Sequence, residues 1–253
     1  MGIITMLVFA STTTFALLAF GFLLGIKHAT EADHLAAVST IVSERKSLWS
    51  SALVGGLWGL GHTISLVAAG VFVLVLDFSI SGNVERWLEF AVGVMLTLLG
   101  LNVLRKILKG GNLHFHAHEH GAGKHVHPHI HEANDAGHTP IHRPFRSPRA
   151  LLIGMVHGLA GSAALMLAVI PMIETKTLGL IYIITFGIGS IGGMMIMSFL
   201  VGLPFHFSAL KFERFHRALQ ITAGAVSVIL GLMIMYDKGF SAASDTVARM
   251  VLR

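Results

Sequence analysis

Six long apolar stretches recur along the 253-residue chain, and they limit its possible folds more than any other feature. Each has at least the roughly 20 residues that an α-helix needs to cross the hydrocarbon of a bilayer. Charged residues make up only 12% of the sequence, about half the share that is usual in a soluble domain. The sequence therefore predicts an all-α polytopic membrane protein with six transmembrane helices.

The predicted spans divide the chain into two halves around a polar loop. They cover residues 12–43, 50–76, 86–108, 149–171, 178–203 and 216–236. We expect a first three-helix repeat over 1–108, a histidine-rich disordered loop over 109–148, a second three-helix repeat over 149–236 and a short C-terminal tail over 237–253. The N-terminal stretch has no basic region typical of a secretory signal, so we expect it to be retained.

Lysine and arginine residues predict the orientation of the chain in the membrane. Twelve of them fall on the side of the 109–148 loop and five on the opposite side. Because basic residues accumulate in cytoplasmic loops, we expect an integral protein of the cytoplasmic (inner) membrane. The loop then lies in the cytoplasm, and both termini lie outside.

The two halves also resemble each other in sequence. Three stretches of the first half recur in order in the second: Gly25–His28 at Gly154–His157, Gly59–Ile64 at Gly187–Gly192, and Gly93 with Gly100 at Gly224 with Gly231, at offsets of 129, 128 and 131 residues. A second half of three spans enters the membrane from the opposite side. The pattern therefore predicts two inverted repeats, an arrangement that commonly builds transporters with a site between the halves.

Charged and polar side chains occupy the middle of the first predicted span. They are Lys27, His28, Glu31, Asp33 and His34. A charge at the centre of a membrane helix costs on the order of 2.5–3.5 kcal/mol on insertion scales. Lys27 and Glu31 are four residues apart and can pair on a helix, whereas Asp33 has no such partner and requires a cation or a histidine proton.

Two further histidines, His62 and His157, lie near the middle of other spans. Each imidazole alone could simply bond a backbone carbonyl, but three histidines at one depth together with acids favour a shared metal site. On a regular helix His28, Asp33 and His34 point in three different directions. We therefore expect the first helix to be broken or bulged within residues 28–34.

The predicted metal ligands are His28, Asp33, His34, His62 and His157, with Lys27, Glu31, Thr63 and Ser162 as supporting or coupling residues. Histidine and carboxylate without sulfur suit Ni²⁺, Co²⁺, Zn²⁺ or Fe²⁺ better than Cu⁺. Mg²⁺ and Ca²⁺ prefer oxygen ligands throughout.

The loop contains ten of the sixteen histidines. Eight of them alternate along the chain: His114, His116, His118, His120, His125, His127, His129 and His131. Alternation puts side chains on one side of an extended chain, so neighbours can share a metal. We expect metal capture, buffering or sensing there, with a passive hydrophilic linker as the alternative.

Two motifs carry a resemblance to a known family. "HATEADH" from His28 is the His-x4-Asp-His pattern of the nickel/cobalt transporter superfamily, and "GLGHT" from Gly59 resembles its second signature. "GMVHGLAGSAAL" from Gly154 is more similar to the six-span branch of exporters and membrane-bound urease accessory proteins than to the eight-span uptake permeases. The resemblance implies a permease for Ni²⁺ or Co²⁺, with these histidines and Asp33 in the metal path.

The sequence thus predicts a secondary transporter of divalent metal ions, Ni²⁺ or Co²⁺ before others, with the metal as substrate and no resident cofactor. The alternatives are an accessory protein that delivers nickel to urease or hydrogenase maturation proteins, and an exporter of Zn²⁺ or Fe²⁺. An enzyme is not expected, since the chain has no cysteine and no His-Glu-x-x-His motif. The expected partners are the metal, the lipid bilayer and maturation proteins, without nucleic acid.

Overall fold

The computed structural model describes residues 3–45, 47–75, 81–109, 114–119, 124–129, 148–160, 173 and 175–251. Seven helices lie in these ranges: α1 (Ile3–His28), α2 (Ala32–Val42), α3 (Leu48–Val75), α4 (Gly82–Leu108), α5 (Pro148–Gly158), α6 (Lys176–Lys211) and α7 (Glu213–Val251). Two strands, β1 (His114–Glu119) and β2 (Lys124–His129), lie between α4 and α5.

Four helices are long and apolar enough to cross a membrane. They are α3, α4, residues 176–209 of α6 and residues 213–239 of α7, and α1 with α2 makes a fifth candidate if the bent pair is one span. These five coincide with predicted spans one, two, three, five and six. The fourth predicted span begins with α5, and its residues 161–171 lie outside the described part of the chain.

The first span is broken where the sequence predicts it. The helix axes of α1 and α2 differ by 55° across residues 29–31. At the break, the Thr30 and Glu31 amides donate to carbonyls only three residues back, at 2.9 and 3.1 Å. Thr30 Oγ1 also donates to the Lys27 carbonyl at 2.6 Å, and Glu31 then takes an extended conformation. The tightened turn ends α1, and the extended residue redirects the chain.

Helix α1 packs against α6, and α5 packs against α3, through close backbone contacts. Gly25 of α1 lies against the carbonyl of Phe186 in α6, and Gly154 of α5 lies against the carbonyl of Trp58 in α3. Each glycine leaves no room for a Cβ atom, which allows the two backbones to touch. Small residues permit such close crossings of membrane helices.

Helices α4 and α7 form a second close pair, antiparallel to each other. Gly93 faces the Gly231 carbonyl, and Gly100 faces the Gly224 carbonyl. Helix α3 likewise runs antiparallel to α6, and the Thr63 hydroxyl donates to the Gly187 carbonyl at 3.1 Å. In the pairs α4–α7 and α3–α6, the two backbones therefore lie close together along most of their length.

Polar contacts fix the end of α2 against the neighbouring helices. Lys106 Nζ of α4 lies 2.8 Å from Glu44 Oε1. Gln220 Nε2 of α7 donates to the Ser43 carbonyl at 3.0 Å. These contacts anchor the helix that carries His34.

Two predicted segments contain regular structure. Helix α7 continues to Val251, into the predicted C-terminal tail. Within the predicted loop, β1 and β2 pair in antiparallel register, and strict alternation of residues is the pattern of a strand.

The crossing of α4 and α7 can be tested with a matched pair of glycines. A Cβ at Gly100 collides with the Gly224 carbonyl, whereas one at Gly192 meets nothing within 4 Å. We expect Gly100→Ala to destabilise the protein by about 1–3 kcal/mol, as overpacking does, and Gly192→Ala to be neutral or slightly stabilising. Thermal unfolding in detergent measures both variants, and equal stability of the two contradicts the packing described.

Candidate metal centre

Four buried histidines from four helices meet beside the break in the first span. His28 ends α1, His34 lies in the first turn of α2, His62 is in the middle of α3, and His157 is near the end of α5. Each is 0–1% exposed. The His34 ring is central, with its centroid 4.4 Å from His28, 5.5 Å from His62 and 4.1 Å from His157.

The helix break is what lets His28 and His34 meet. Six residues apart on a straight helix, they would point about 120° apart at 100° per residue. The 55° bend and the extended Glu31 turn α2 so that both rings face the same interior space. Across from them, Gly158 of α5 packs against the backbone of His62, which brings α5 and its His157 close.

These side chains form two groups of donor atoms with metal-binding spacing. One group is His28, His34 and His62, and the other is Asp33, His34 and His157. Within each group the donor atoms all lie within 4.8 Å of one another. The structure therefore brings together all five ligands that the sequence predicts, with His34 in both groups.

Asp33 joins two of the histidines through its carboxylate. Its Oδ1 lies 3.0 Å from His34 Nδ1, and its Oδ2 lies 3.0 Å from His157 Nε2. The backbone amide of His34 also donates to Oδ1 at 2.8 Å. A carboxylate in this position orients imidazoles and raises their basicity as metal ligands.

Several ring nitrogens of the cluster have no hydrogen-bond partner within the described part of the chain. They are His28 Nε2, His34 Nε2, His62 Nδ1, His62 Nε2 and His157 Nδ1. A buried polar atom left without a partner costs about 1–3 kcal/mol. The simpler interpretation, in which each imidazole bonds a backbone carbonyl, does not fit His62, because neither of its nitrogens is bonded. The cluster is arranged to donate lone pairs to an electrophile.

The predicted supporting residues do not all lie at the cluster. Glu31 Oε2 lies 3.0 Å from His28 Nδ1, and no ion pair joins Glu31 to Lys27 in the described residues. The Thr63 hydroxyl bonds the Gly187 carbonyl, so it serves helix packing. Ser162 lies outside the described residues.

Sequence reasoning missed two aromatic side chains that enclose the cluster. Trp58 is 1% exposed, and its ring lies 5.2 Å from His34 and 5.4 Å from His157. Phe186 is 2% exposed and lies 5.6 Å from His28. One helical turn separates Trp58 from His62, which is a signal for a shared face. Phe186 follows Trp58 at the same 128-residue offset that relates the two halves.

Histidines of the loop occupy opposed positions in the hairpin. The register pairs His114 with His129, His116 with His127, and His118 with His125. His120 and His131 lie outside the described residues. Directly opposed residues in an antiparallel pair have Cβ atoms about 4.5–5.5 Å apart.

Comparison with known proteins identifies the family. The chain is 39% identical to the urease accessory protein UreH of Bacillus sp. (strain TB-90) over 228 residues, which are 88% of this chain and 92% of that protein. The chain belongs to the urease-accessory branch of the nickel/cobalt transporter superfamily. No known protein-family model matches it, and no solved structure does.

Two other relatives are matched over a smaller share of their own sequences. A high-affinity nickel transport protein of Cupriavidus necator is 32% identical over 95 residues, or 36% of this chain and 26% of that protein. Chloroplast protein FOR GROWTH AND FERTILITY 2 of Arabidopsis thaliana is 25% identical over 222 residues, or 87% of this chain and 56% of that protein. The long apolar helices indicate a membrane protein, and the relatives indicate a role related to nickel. The buried cluster is consistent with both.

Trp58 provides a local reporter of metal in the cluster. Trp49 and Trp87 are 66% and 68% exposed, so replacing both with Phe leaves Trp58 as the only tryptophan at little cost in packing. We expect Co²⁺ or Ni²⁺, both paramagnetic, to quench Trp58 fluorescence saturably, because its indole contacts two of the imidazoles. His34→Ala in the same background is the control; quenching that persists unchanged in it contradicts metal binding at the cluster.

Proposed function

We propose that the chain is a secondary transporter of divalent transition-metal ions, Ni²⁺ or Co²⁺ before others. The observation that carries the proposal is the set of buried imidazole nitrogens without partners at the break of a membrane helix. A dehydrated dication among them would replace its lost water with nitrogen ligands. The nickel-related names of two relatives support the same substrate.

The donor set favours borderline metals. Four imidazoles and one carboxylate surround the site, and the chain has no cysteine to supply thiolate. Imidazole suits nickel, copper, zinc and iron, whereas thiolate and thioether select Cu⁺. Zn²⁺ and Fe²⁺ remain the alternative substrates, since imidazole binds these ions as well.

We propose further that the fold is two inverted three-helix repeats with six spans. Under the sequence offset, the contact between Gly25 and Phe186 becomes the contact between Gly154 and Trp58, and both are present. The contact of Gly93 with Gly231 likewise becomes that of Gly224 with Gly100. Exchanged contacts of this kind are expected when two repeats are related by a two-fold axis in the membrane plane.

The proposed orientation places the histidine-rich loop in the cytoplasm and both termini outside the inner membrane. The excess of lysine and arginine on the loop side supports it. A divalent ion that crosses 100 mV gains or loses about 4.6 kcal/mol, twice the value for a single charge. Import can therefore run on the membrane potential, whereas export requires coupling to another ion.

We propose that the loop captures metal without forming part of the path through the membrane. The register of β1 and β2 supports this, because it opposes histidines in three successive pairs. A second candidate function is nickel delivery to urease maturation proteins without transport. The similarity to UreH along nearly the whole chain favours it.

Flux measurements in liposomes that contain only this protein separate transport from delivery. We expect saturable Ni²⁺ or Co²⁺ flux that falls about 10- to 100-fold in His28→Ala and in Asp33→Ala, because both residues are ligands and Asp33 also orients two of the histidines. Deletion of residues 112–142 should leave the flux in place.

His206→Ala is the matched control for these variants. His206 lies in α6 twenty residues beyond Phe186, about 30 Å along the helix axis. The control should transport at the wild-type rate. Absence of flux in either direction from the wild-type protein would remove the transporter proposal and favour the delivery role.

A further inference from the structure

We propose that the cluster offers one ion two alternative positions and that His34 is the ligand common to both. The three-histidine position lies among His28, His34 and His62, and the aspartate position lies among Asp33, His34 and His157. This relay presupposes the metal transport proposed above, and it specifies the route of the ion through the cluster.

The two nitrogens of His34 have different surroundings. Nδ1 lies 3.0 Å from Asp33 Oδ1, whereas Nε2 is buried without a hydrogen-bond partner among the described residues. The ring centroid lies 4.4 Å from that of His28 on one side and 4.1 Å from that of His157 on the other. One imidazole therefore borders both positions.

Only one position can be occupied at a time. A neutral imidazole has a lone pair on only one of its two nitrogens, so His34 ligates in one position or the other. Two dications held about 2 Å from opposite nitrogens would also lie only about 6 Å apart, where their repulsion is strong in a poorly solvated interior. The ion moves by leaving one nitrogen of His34 and binding the other, while the imidazole proton passes to the nitrogen that the ion has left. Its remaining ligands are exchanged in the same step.

The three-histidine position takes all its ligands from the first half of the chain, whereas the aspartate position adds His157 from the second half. His28 and His157 are equivalent under the 129-residue offset. Glu31, with a side chain 40% exposed, lies 3.0 Å from Nδ1 of the buried His28. The three-histidine position therefore borders an exposed carboxylate of the first half, whereas the aspartate position borders α5 of the second half. An exchange around His34 brings the ion into contact with His157 of the second half.

Three variants of the full-length protein separate the two positions. His62→Ala removes a ligand of the three-histidine position alone, His157→Ala removes one of the aspartate position alone, and His34→Ala affects both. Each is made in a background with Trp58 as the only tryptophan and the loop histidines replaced by asparagine. Co²⁺ binding is followed by Trp58 quenching and by the visible spectrum of Co²⁺. Flux is measured in liposomes with the same proteins.

The relay predicts that His62→Ala and His157→Ala each still bind Co²⁺, with affinity lowered about 10- to 100-fold and with visible spectra that differ from each other. Both should lose flux, since each blocks one end of the exchange, and His34→Ala should lose binding as well. His62→Asn and His157→Asn must behave in the same way, which guards against variants that fail to fold.

Other results overturn the relay while leaving transport intact. If His62→Ala and His157→Ala abolish binding as fully as His34→Ala, all the ligands form one composite site. If either variant keeps wild-type flux, the exchange does not require both positions. A wild-type protein that neither binds nor transports Co²⁺ or Ni²⁺ instead overturns the proposed function itself.

Discussion

Between His28 and Ala32 the first membrane helix stops and restarts in a new direction, and both groups of donor atoms depend on that interruption. Irregular backbone at membrane depth is tolerated only where it is buried in protein or lines a cavity. Here Ala29 is buried and faces Gly193 of α6, whereas Thr30 is exposed. The close packing of the glycines delivers His62 and His157 to the break.

The energetic character of the cluster follows from burial without hydrogen bonding. Four imidazoles are removed from solvent, and five of their nitrogens have no partner among the described residues. Such an arrangement is unfavourable in the absence of a ligand. A metal ion that loses water on entering the site recovers part of that hydration energy from these nitrogens. Trp58 and Phe186 close the space around the rings, and Asp33 keeps two of the rings oriented.

Much of this site could be predicted from the sequence, because the angular mismatch of His28, Asp33 and His34 on a helix requires a break. Whether Lys27 pairs with Glu31 could not be predicted from their spacing, because α1 ends at His28 and the two residues do not lie on one helix. The bridge from Asp33 to His157 and the position of Trp58 depend on how closely α5 crosses α3. That distance is set by Gly154 and Gly158, whose contacts only the folded chain reveals.

X-ray absorption at the nickel edge tests the central claim most directly. The sample is the protein with its loop histidines replaced by asparagine and loaded with one equivalent of Ni²⁺. The account predicts at least two imidazole ligands with nitrogen at about 2.0–2.1 Å, and their loss in His34→Ala. A spectrum of nickel surrounded by six oxygens, unchanged by His34→Ala, would contradict it.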